Sequence, residues 1–231
     1  MNTRMFVSIL MVLAVFFLSS CEKDTTTIPD TFMERGNHGA TSANRQNLQL
    51  ILDTYPLEDL SAGEKASLAF MREEEKLAHD VYALLYDTWG TNIFTNIAAS
   101  EQTHTEAVLF LLNRYDLDDS ADGFAAGDFQ NVALQDLYDE LTTRGALSEV
   151  EALRVGALIE EVDILDLQND LNQTIDNQDI TLVYENLMKG SRNHLRAFVR
   201  TLERRGVVYT PEALTLEYYE AIINSDMETG H

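Results

Sequence analysis

Cysteine is almost missing from this chain of 231 residues, in which Cys21 is the only one. A single cysteine cannot form a disulfide within the chain, and it cannot supply the thiolates of a four-cysteine metal site. Any metal in the folded part of the protein must therefore be held by nitrogen and oxygen ligands. Proline is also scarce, with three residues in total, and few β-branched runs alternate with polar residues. We expect an all-α fold.

Basic residues are few as well, since 16 lysines and arginines stand against 39 aspartates and glutamates and the formal net charge is -23. Such a chain repels nucleic acid and anionic lipid, and it attracts cations. We therefore expect no nucleic-acid partner. A run of acidic residues is usually only a solvated face, so the charge by itself does not identify a function.

The first residues indicate a targeting segment. A mainly apolar stretch, 5–18, follows Arg4 and is too short for a membrane-spanning helix. Small residues come directly before Cys21, and the whole of 1–20 resembles the signal peptide of a bacterial lipoprotein. Cleavage would leave Cys21 as a lipidated first residue, anchored by its acyl chains. Glu22 at the next position resembles the pattern of lipoproteins sent to the outer membrane of Gram-negative bacteria, so we expect a cell-envelope lipoprotein; an uncleaved anchor is the alternative.

The rest of the chain divides by composition. Without its first 20 residues the chain has 15 basic and 39 acidic side chains, and its net charge becomes 15 minus 39, or -24. Residues 21–60 are rich in Thr, Asp, Asn and Gly and show no sustained apolar period, so we expect a tether. Residues 61–215 suffice for one helical domain with a substantial core. Residues 216–231 are expected to form a C-terminal tail.

Four long helices are predicted from apolar residues that recur every three or four positions. They span residues 62–87, 92–115, 148–173 and 177–205. A short break that includes Gly90 separates the first two, and the last two are joined in the same way, so each pair should be antiparallel. A long connection, 116–147, runs from the second helix to the third and contains a short amphipathic piece between Leu134 and Leu141. Two antiparallel pairs joined by a long crossover are the topology of a ferritin-like four-helix bundle.

Charged residues interrupt the apolar faces of these helices. A charge in such a position needs a partner or a metal, because burying it alone is costly. Glu101 and His104 lie on the apolar face of the second helix, three residues apart, so both side chains lie on the same side. In the first helix Glu75 lies on the apolar face, although a second possible face would present Glu74 instead.

The second pair of helices repeats the pattern with one change. Glu160 and Asp163 lie one turn apart on the third helix, and Ser191 and His194 are three residues apart on the fourth. Carboxylates and imidazoles placed in this way are typical of carboxylate-bridged iron or manganese centres. A hydroxyl is a poor ligand for iron at neutral pH, so Ser191 puts the second metal in question unless Asp163 supplies the missing bridge.

Four segments of the chain resemble ferritin-like proteins. They are EEEKLAHDVY, IAASEQTHTEAV, GALIEEVDILDL and YENLMKGSRNHLRAF, all between residues 60 and 215. The first two resemble the opening helices of rubrerythrins, and all four together resemble a bacterial and archaeal ferritin-like family that is a domain of unknown function. The resemblance implies the helical bundle and a set of metal ligands. They are Glu75, Glu101, His104, Glu160 and His194, with Asp163 in the place of a second acid.

We therefore expect a lipid-anchored, iron-binding protein that reacts with oxygen or peroxide, or that handles iron. A di-iron site is the first expectation, with a single iron or manganese as alternatives. Rubrerythrins also carry a four-cysteine iron domain that delivers electrons, and the mature chain, with Cys21 lipidated, has no thiols to build one, so an external electron donor is needed. A homodimer is possible. The alternative from another class is a non-catalytic envelope scaffold or metal-sequestering protein that keeps the bundle.

Several residues beside the candidate ligands receive other assignments. We expect Glu73, Glu74 and Glu161 to be solvated, and Tyr82 to pack in the core rather than to bind a site carboxylate.

Overall fold

A computed structural model describes residues 33–35, 41–43 and 45–228. The predicted signal peptide, 1–20, and the predicted lipidation residue, Cys21, lie outside the described residues. The elements in chain order are the strands β1 (Met33–Arg35) and β2 (Thr41–Ala43) and the helices α1 (Arg45–Leu52), α2 (Ala62–Trp89), α3 (Asn92–Arg114), α4 (Val132–Gly145), α5 (Glu149–Gln173), α6 (Gln178–Glu203) and α7 (Leu216–Ile223). The strands pair antiparallel, with Met33 opposite Ala43. All other regular elements of the described chain are helices, which confirms the prediction of an all-α fold class.

The four long helices, α2, α3, α5 and α6, begin and end within two residues of the predicted bounds. They pack mainly in two pairs, α2 with α3 and α5 with α6. The first reversal depends on Gly90, which has a φ of 65° and donates its N–H to Tyr86 O at 2.7 Å. This left-handed conformation ends α2 and favours glycine, so the chain can turn within two residues into α3.

The start of α2 is tied to the turn between α5 and α6 by a single carboxylate. Ser61 and Glu64 form a capping box, in which Ser61 N donates to Glu64 Oε2 at 2.8 Å and Glu64 N donates to Ser61 Oγ at 3.1 Å. The other oxygen of Glu64 accepts the N–H groups of Asp176 and Asn177 at 3.3 and 3.2 Å. Glu64 therefore links the ends of two helix pairs.

Both segments predicted to flank the domain contribute to it. The predicted tether, 21–60, includes α1, whose Leu48, Ile51 and Leu52 are buried against the long helices. These three residues have the spacing of one helical face, but the pattern covers only two turns and does not stand out in the sequence. The predicted tail, 216–231, includes α7, which contributes Tyr219 and Ile222 to the core. Helices α1 and α7 therefore bury apolar side chains against the same core as the four long helices.

The connection between α3 and α5 is held against the outer face of α2. Helix α4 buries Leu134 and Leu141, as its amphipathic pattern predicted. The loop before it is fixed by Lys76 Nζ, which donates to the carbonyls of Ala125 and Asp128 at 2.8 and 3.1 Å. Glu73, which was expected to be solvated, is buried and accepts the N–H of Asn131 at 2.9 Å, at the start of α4. That expectation was wrong because the connection covers this side of α2.

Glu161 is a second acid for which the expected solvation was wrong. It lies on α5, is 0% exposed, and accepts the hydroxyl of Tyr209 at 2.6 Å. It also accepts the N–H groups of Glu212, Ala213 and Leu214 at 3.0, 2.7 and 2.8 Å. One carboxylate therefore binds the segment between α6 and α7 to the rest of the domain.

We predict that Glu161→Ala lowers the free energy of unfolding by about 3–5 kcal/mol, because it leaves buried donors without an acceptor. Urea unfolding followed by circular dichroism would measure this. Glu140→Ala is the matched control, since Glu140 is an exposed acid on α4. Similar losses in the two variants would contradict the role given to Glu161.

Candidate metal centre

Glu101 lies between two histidines in the interior of the protein. Its Oε2 is 2.8 Å from the Nδ1 of His104, and its Oε1 is 2.9 Å from the Nδ1 of His194. All three side chains are buried. Glu101 and His104 come from one face of α3, as predicted from their spacing, and His194 comes from α6. One carboxylate thus presents an oxygen to each of two imidazoles.

A further carboxylate faces each histidine. Glu75 Oε2 on α2 is 3.3 Å from His104 Nδ1, and Glu160 Oε2 on α5 is 3.3 Å from His194 Nδ1. Two groups result, one of Glu75, Glu101 and His104 and the other of Glu101, Glu160 and His194. In each group one ligand atom per residue lies within 4.8 Å of the other two. Five of the six predicted ligands therefore meet in one place, and Glu101 belongs to both groups.

Small residues fix the orientation of the two imidazoles. The rings of His104 and His194 are stacked, with centroids 5.5 Å apart and planes inclined by 24°. A Cβ atom on Gly190 would lie 2.6 Å from His104 Nε2, so only glycine leaves room for this ring. His194 Nε2 is 2.9 Å from Ser100 Oγ. If Nδ1 is the ligand atom, Nε2 carries the proton and donates to Ser100, which is the usual arrangement behind a metal-bound histidine.

The donor atoms are suited to metal ions. Among residues 45–228, Glu75 Oε1, Glu101 Oε1 and His194 Nδ1 are buried and make no hydrogen bond. Glu101 Oε1 and His194 Nδ1 thus face each other at 2.9 Å without the alignment of a hydrogen bond. Two ligands about 2.1 Å from one metal at a right angle lie about 3 Å apart, close to the spacing found here. Three carboxylates and two imidazoles form a set that fits iron or manganese.

The pKa shifts of these buried groups show which of them are charged in the metal-free site. Burial raises the pKa of Glu75 and Glu160 to about 7, although the facing histidines act to lower it. Burial alone would also raise the pKa of Glu101, but His194 and His104 lower it below its usual range. Burial acts to lower the pKa of His194, but Glu101 and Glu160 raise it to about 10. Around neutral pH the ionised Glu101 is therefore paired with protonated imidazole, and a metal must displace those protons.

Asp163 is the one predicted ligand that belongs to neither group. It is buried on α5, and Ser191 Oγ donates a short hydrogen bond to its Oδ2. Burial raises the pKa of Asp163 well above its usual range, and the charge of Glu75 raises it further. Ser191, at the position where a second bridging carboxylate was expected, therefore contacts a neighbouring carboxylate.

Glu74 and Tyr82 have roles that the sequence pattern did not predict. Glu74 was expected to be solvated, but it is buried, and burial together with the neighbouring acids Asp163 and Asp166 raises its pKa. The choice between the two possible faces of α2 falls on Glu75, which faces His104. Tyr82 packs in the core as predicted, but its hydroxyl also donates to Glu160 Oε1 at 2.5 Å. The sequence does not identify Glu160 as the partner, because the two residues are far apart along the chain and lie on different helices.

A cavity of about 150 Å³ borders the site. Its acidic part is formed by Glu74, Glu75, Glu101, Glu160 and Asp163. The rest of the wall consists of aliphatic side chains from α2, α4 and α5. The carboxylates of both groups therefore share one internal space with two further buried acids.

A family model described as an uncharacterized protein domain, DUF2202, matches residues 64–226. The chain belongs to this family. The matched segment contains all six predicted ligands, and membership of a family that is a domain of unknown function was expected from the sequence. The N-terminal segment with Cys21 lies outside the match.

A relative of this chain is found both by sequence and by structure. The protein described as uncharacterized protein MJ0754, from Methanocaldococcus jannaschii, is 51% identical over 179 residues, which cover 78% of this chain and 96% of the relative. A crystal structure of hypothetical protein MJ0754 from Methanococcus jannaschii DSM 2661 matches with a TM-score of 0.73 and 53% identity, covering 75% of this chain and 98% of the other. Among the described residues, no helix combines the length and the apolar character that crossing a membrane requires.

We predict that Gly190→Ala weakens metal binding by about 10- to 100-fold, because the added methyl group displaces the His104 ring. Titration of the metal-free protein with Mn(II) or Fe(II) would measure this. Gly63→Ala is the matched control, since Gly63 is an exposed helical glycine whose added Cβ would meet Thr174 and Ser61, neither of them a candidate ligand. Equal affinities in Gly190→Ala and the control would show that the ring needs no such space.

We predict opposite effects of pH on the metal-free protein and on metal binding. Glu75 and Glu160 have raised pKa values, so their stabilising contribution is complete below pH 4.5 and is lost as pH rises through about 7. The contribution of His194 is complete below pH 6.5 and is lost as pH rises through about 10. The lowered pKa of Glu101 acts only in acid, so it does not oppose this trend.

The metal-free protein should therefore unfold at a lower temperature at pH 9 than at pH 5.5, whereas affinity for Fe(II) or Mn(II) should increase over the same interval as protons leave the ligands. Thermal unfolding in a chelator and metal titration at several pH values would test both trends. A melting temperature that rises with pH in the chelator would contradict the charge arrangement described here.

Proposed function

We propose that the four long helices form a ferritin-like four-helix bundle that holds a two-metal centre. The observation that carries this proposal is the position of Glu101, whose two oxygens lie 2.8 and 2.9 Å from the Nδ1 atoms of two different histidines. A carboxylate that serves two groups is how neighbouring metals are joined in such bundles. The resemblance of four segments to ferritin-like proteins supports the same assignment.

Each half of the centre would use one terminal carboxylate and one imidazole. Glu75 and His104 would hold one metal, Glu160 and His194 the other, and Glu101 would bridge. Iron is the metal that we propose, with manganese as the alternative, because a set of oxygen ligands with two imidazoles suits either. A bound iron pair would supply one-electron redox chemistry towards oxygen or peroxide.

The chain's own residues would prepare this chemistry by holding the ligands and limiting water. Tyr82 donates to one oxygen of Glu160 and leaves the other directed at His194. Tyr82 also packs against Phe198 and Phe94, with ring centroids 5.3 and 6.5 Å away. This aromatic group packs beside Glu160, and access for a small reactant is proposed to be from the cavity that carboxylates of both groups line.

The protein is proposed to act in the cell envelope, anchored through a lipidated Cys21 in the outer membrane. The segment that supports this proposal lies outside the described residues. Redox turnover would need an electron donor from outside the chain, because the chain has no further cysteine with which to build a four-cysteine iron domain. A homodimer would be compatible with this placement.

Metal sequestration or a scaffold role is the second candidate, and one observation favours it. Ser191 stands where a second bridging carboxylate would be expected, and its hydroxyl is bonded to Asp163. With one bridge instead of two, the two metals would be held less symmetrically. The site would then store or buffer metal, or hold a single iron, without efficient redox turnover.

We predict that the purified protein binds about two iron or manganese ions per chain, as the two groups sharing Glu101 require. Elemental analysis after anaerobic reconstitution, followed by absorbance on exposure to air, would test binding and oxidation separately. Glu101→Gln should abolish binding at both positions, because it removes the charge that both share. Glu106→Gln, on the same helix but exposed, is the matched control.

Three outcomes separate the candidates. Two irons that are oxidised in air would support the redox assignment. Two metals without oxidation, or one metal, would favour sequestration. Absence of metal in the wild-type protein would overturn the metal centre and leave only the scaffold role.

A further inference from the structure

Four acids lie along one face of α5. Glu160, Asp163, Asp166 and Asp170 follow at intervals of three, three and four residues, so they share one side of the helix over about 15 Å. Their exposure increases with distance from the centre, since Glu160 is 1% exposed and Asp163 is 7% exposed, while Asp166 and Asp170 are half-buried. The row therefore leads from the candidate centre towards the surface at the C-terminal end of α5.

This row is unfavourable for the stability of the helix. Like charges three or four residues apart repel each other, and negative charges are disfavoured near a helix C-terminus by the helix dipole. In the described part of the chain, none of Asp163, Asp166 and Asp170 forms a salt bridge with a lysine or arginine. Apolar residues would pack better than aspartates at these half-buried positions. A bound cation would reduce the repulsion between the acids and their unfavourable interaction with the helix dipole.

Glu74 on α2 joins the row to the centre. Burial raises the pKa of Glu74 well above its usual range, and the neighbouring carboxylates of Asp163 and Asp166 raise it further. Glu74 Oε2 and Asp163 Oδ1 are buried and have no hydrogen-bond partner among residues 45–228. Both residues line the cavity that also borders the carboxylates of the centre. Two buried acceptors without donors therefore lie in the same space as the candidate metal ligands.

The outer end of the row is held in place by neutral groups. Ser67 Oγ donates a short hydrogen bond to Asp170, and it lies 2.8 Å from the hydroxyl of Tyr184. These contacts orient Asp170 without neutralising it. Neither hydroxyl places a positive charge beside Asp170, so the outer end of the row remains suited to a cation.

We propose that Glu74 and Asp166 form a transit site for a divalent metal cation, between the outer acid Asp170 and the centre. This inference rests on the proposed metal centre and adds its route of filling. Two carboxylates bind a divalent ion more weakly than the centre, where three carboxylates and two imidazoles meet. A cation held at Glu74 would therefore pass through the shared cavity to Glu75, the carboxylate next to it in sequence.

The rate of metal loading tests the route. Metal-free protein is mixed with substoichiometric Co(II), and the visible bands of the bound ion are followed by stopped flow. Glu74→Gln and Asp166→Asn should each slow loading by about tenfold or more, because an amide replaces a carboxylate that can release its proton and bind the cation. The amount bound at equilibrium should remain at the wild-type value, since neither residue belongs to the centre.

Matched controls separate the route from a general effect of charge. Glu106→Gln and Asp139→Asn make the same charge changes at exposed positions and should load at the wild-type rate. Both route variants should also keep or increase the melting temperature of the metal-free protein, because repulsion is relieved. Slow loading that is accompanied by a lower melting temperature would overturn the route, since damage to the fold would explain it.

Different experimental results would refute the transit site and the proposed metal centre. If the centre fills at the wild-type rate in both route variants, the transit site is wrong and the centre stands. Equal slowing in the exposed controls would also overturn the transit site. If the wild-type protein binds no Co(II), the centre itself is wrong and the route falls with it.

Discussion

The structure depends on the mutual neutralisation of buried acids and imidazoles around Glu101. An isolated charge in the interior of a protein costs several kcal/mol, so each of these groups is tolerable only beside the others. Glu75, Glu101, Glu160 and the two histidines come from four different helices, and their charged atoms lie within 2.8–3.3 Å of a partner. Each long helix must therefore deliver its residue at the same depth.

This requirement reaches into the packing around the site. Gly190 leaves room for the His104 ring, and Gly156 has the same effect at Phe198, where a Cβ atom would lie 2.4 Å from the ring. Phe198 in turn packs on Tyr82, whose hydroxyl binds Glu160. A larger side chain at either glycine would thus displace a ligand or the residue that orients it. The polar centre and the apolar core cannot be repacked independently.

Periodicity was sufficient to predict the four long helices and to place Glu101 beside His104, but it left Glu74 and Glu75 as alternatives, and the full set of ligands was implied by the family resemblance. Glu101 and His104 could be placed together because residues three apart share a helical face, whatever the partner helix is. The neighbouring acids could not be assigned in this way. Glu73, Glu74 and Glu75 are consecutive and point in three directions, yet all are buried, since Glu73 meets the start of α4, Glu74 meets α5 and Glu75 meets α3.

Consecutive residues of an α-helix are rotated by about 100° about its axis, so three neighbouring side chains point in three directions. Which of these directions faces solvent depends on the path of the long connection between α3 and α5. That path is a tertiary property, held by contacts such as those of Lys76 with loop carbonyls. Glu161 is a similar case, because its partners are backbone N–H groups some fifty positions later in the chain. Nearly every residue type has the same backbone N–H group, so no sequence pattern could show which of these groups bind Glu161.

The two halves of the centre differ in what remains available to a cation. One oxygen of Glu160 is already engaged by Tyr82, and aromatic rings pack on that side. Glu75 has one buried oxygen without a hydrogen bond, and beyond it lie Glu74 and Asp163, which also lack donors within the described chain. Buried carboxylate oxygens without hydrogen-bond donors are therefore concentrated on the Glu75 side. The proposed transit site lies on that side, and Glu101, which belongs to both groups, connects it to Glu160 and His194.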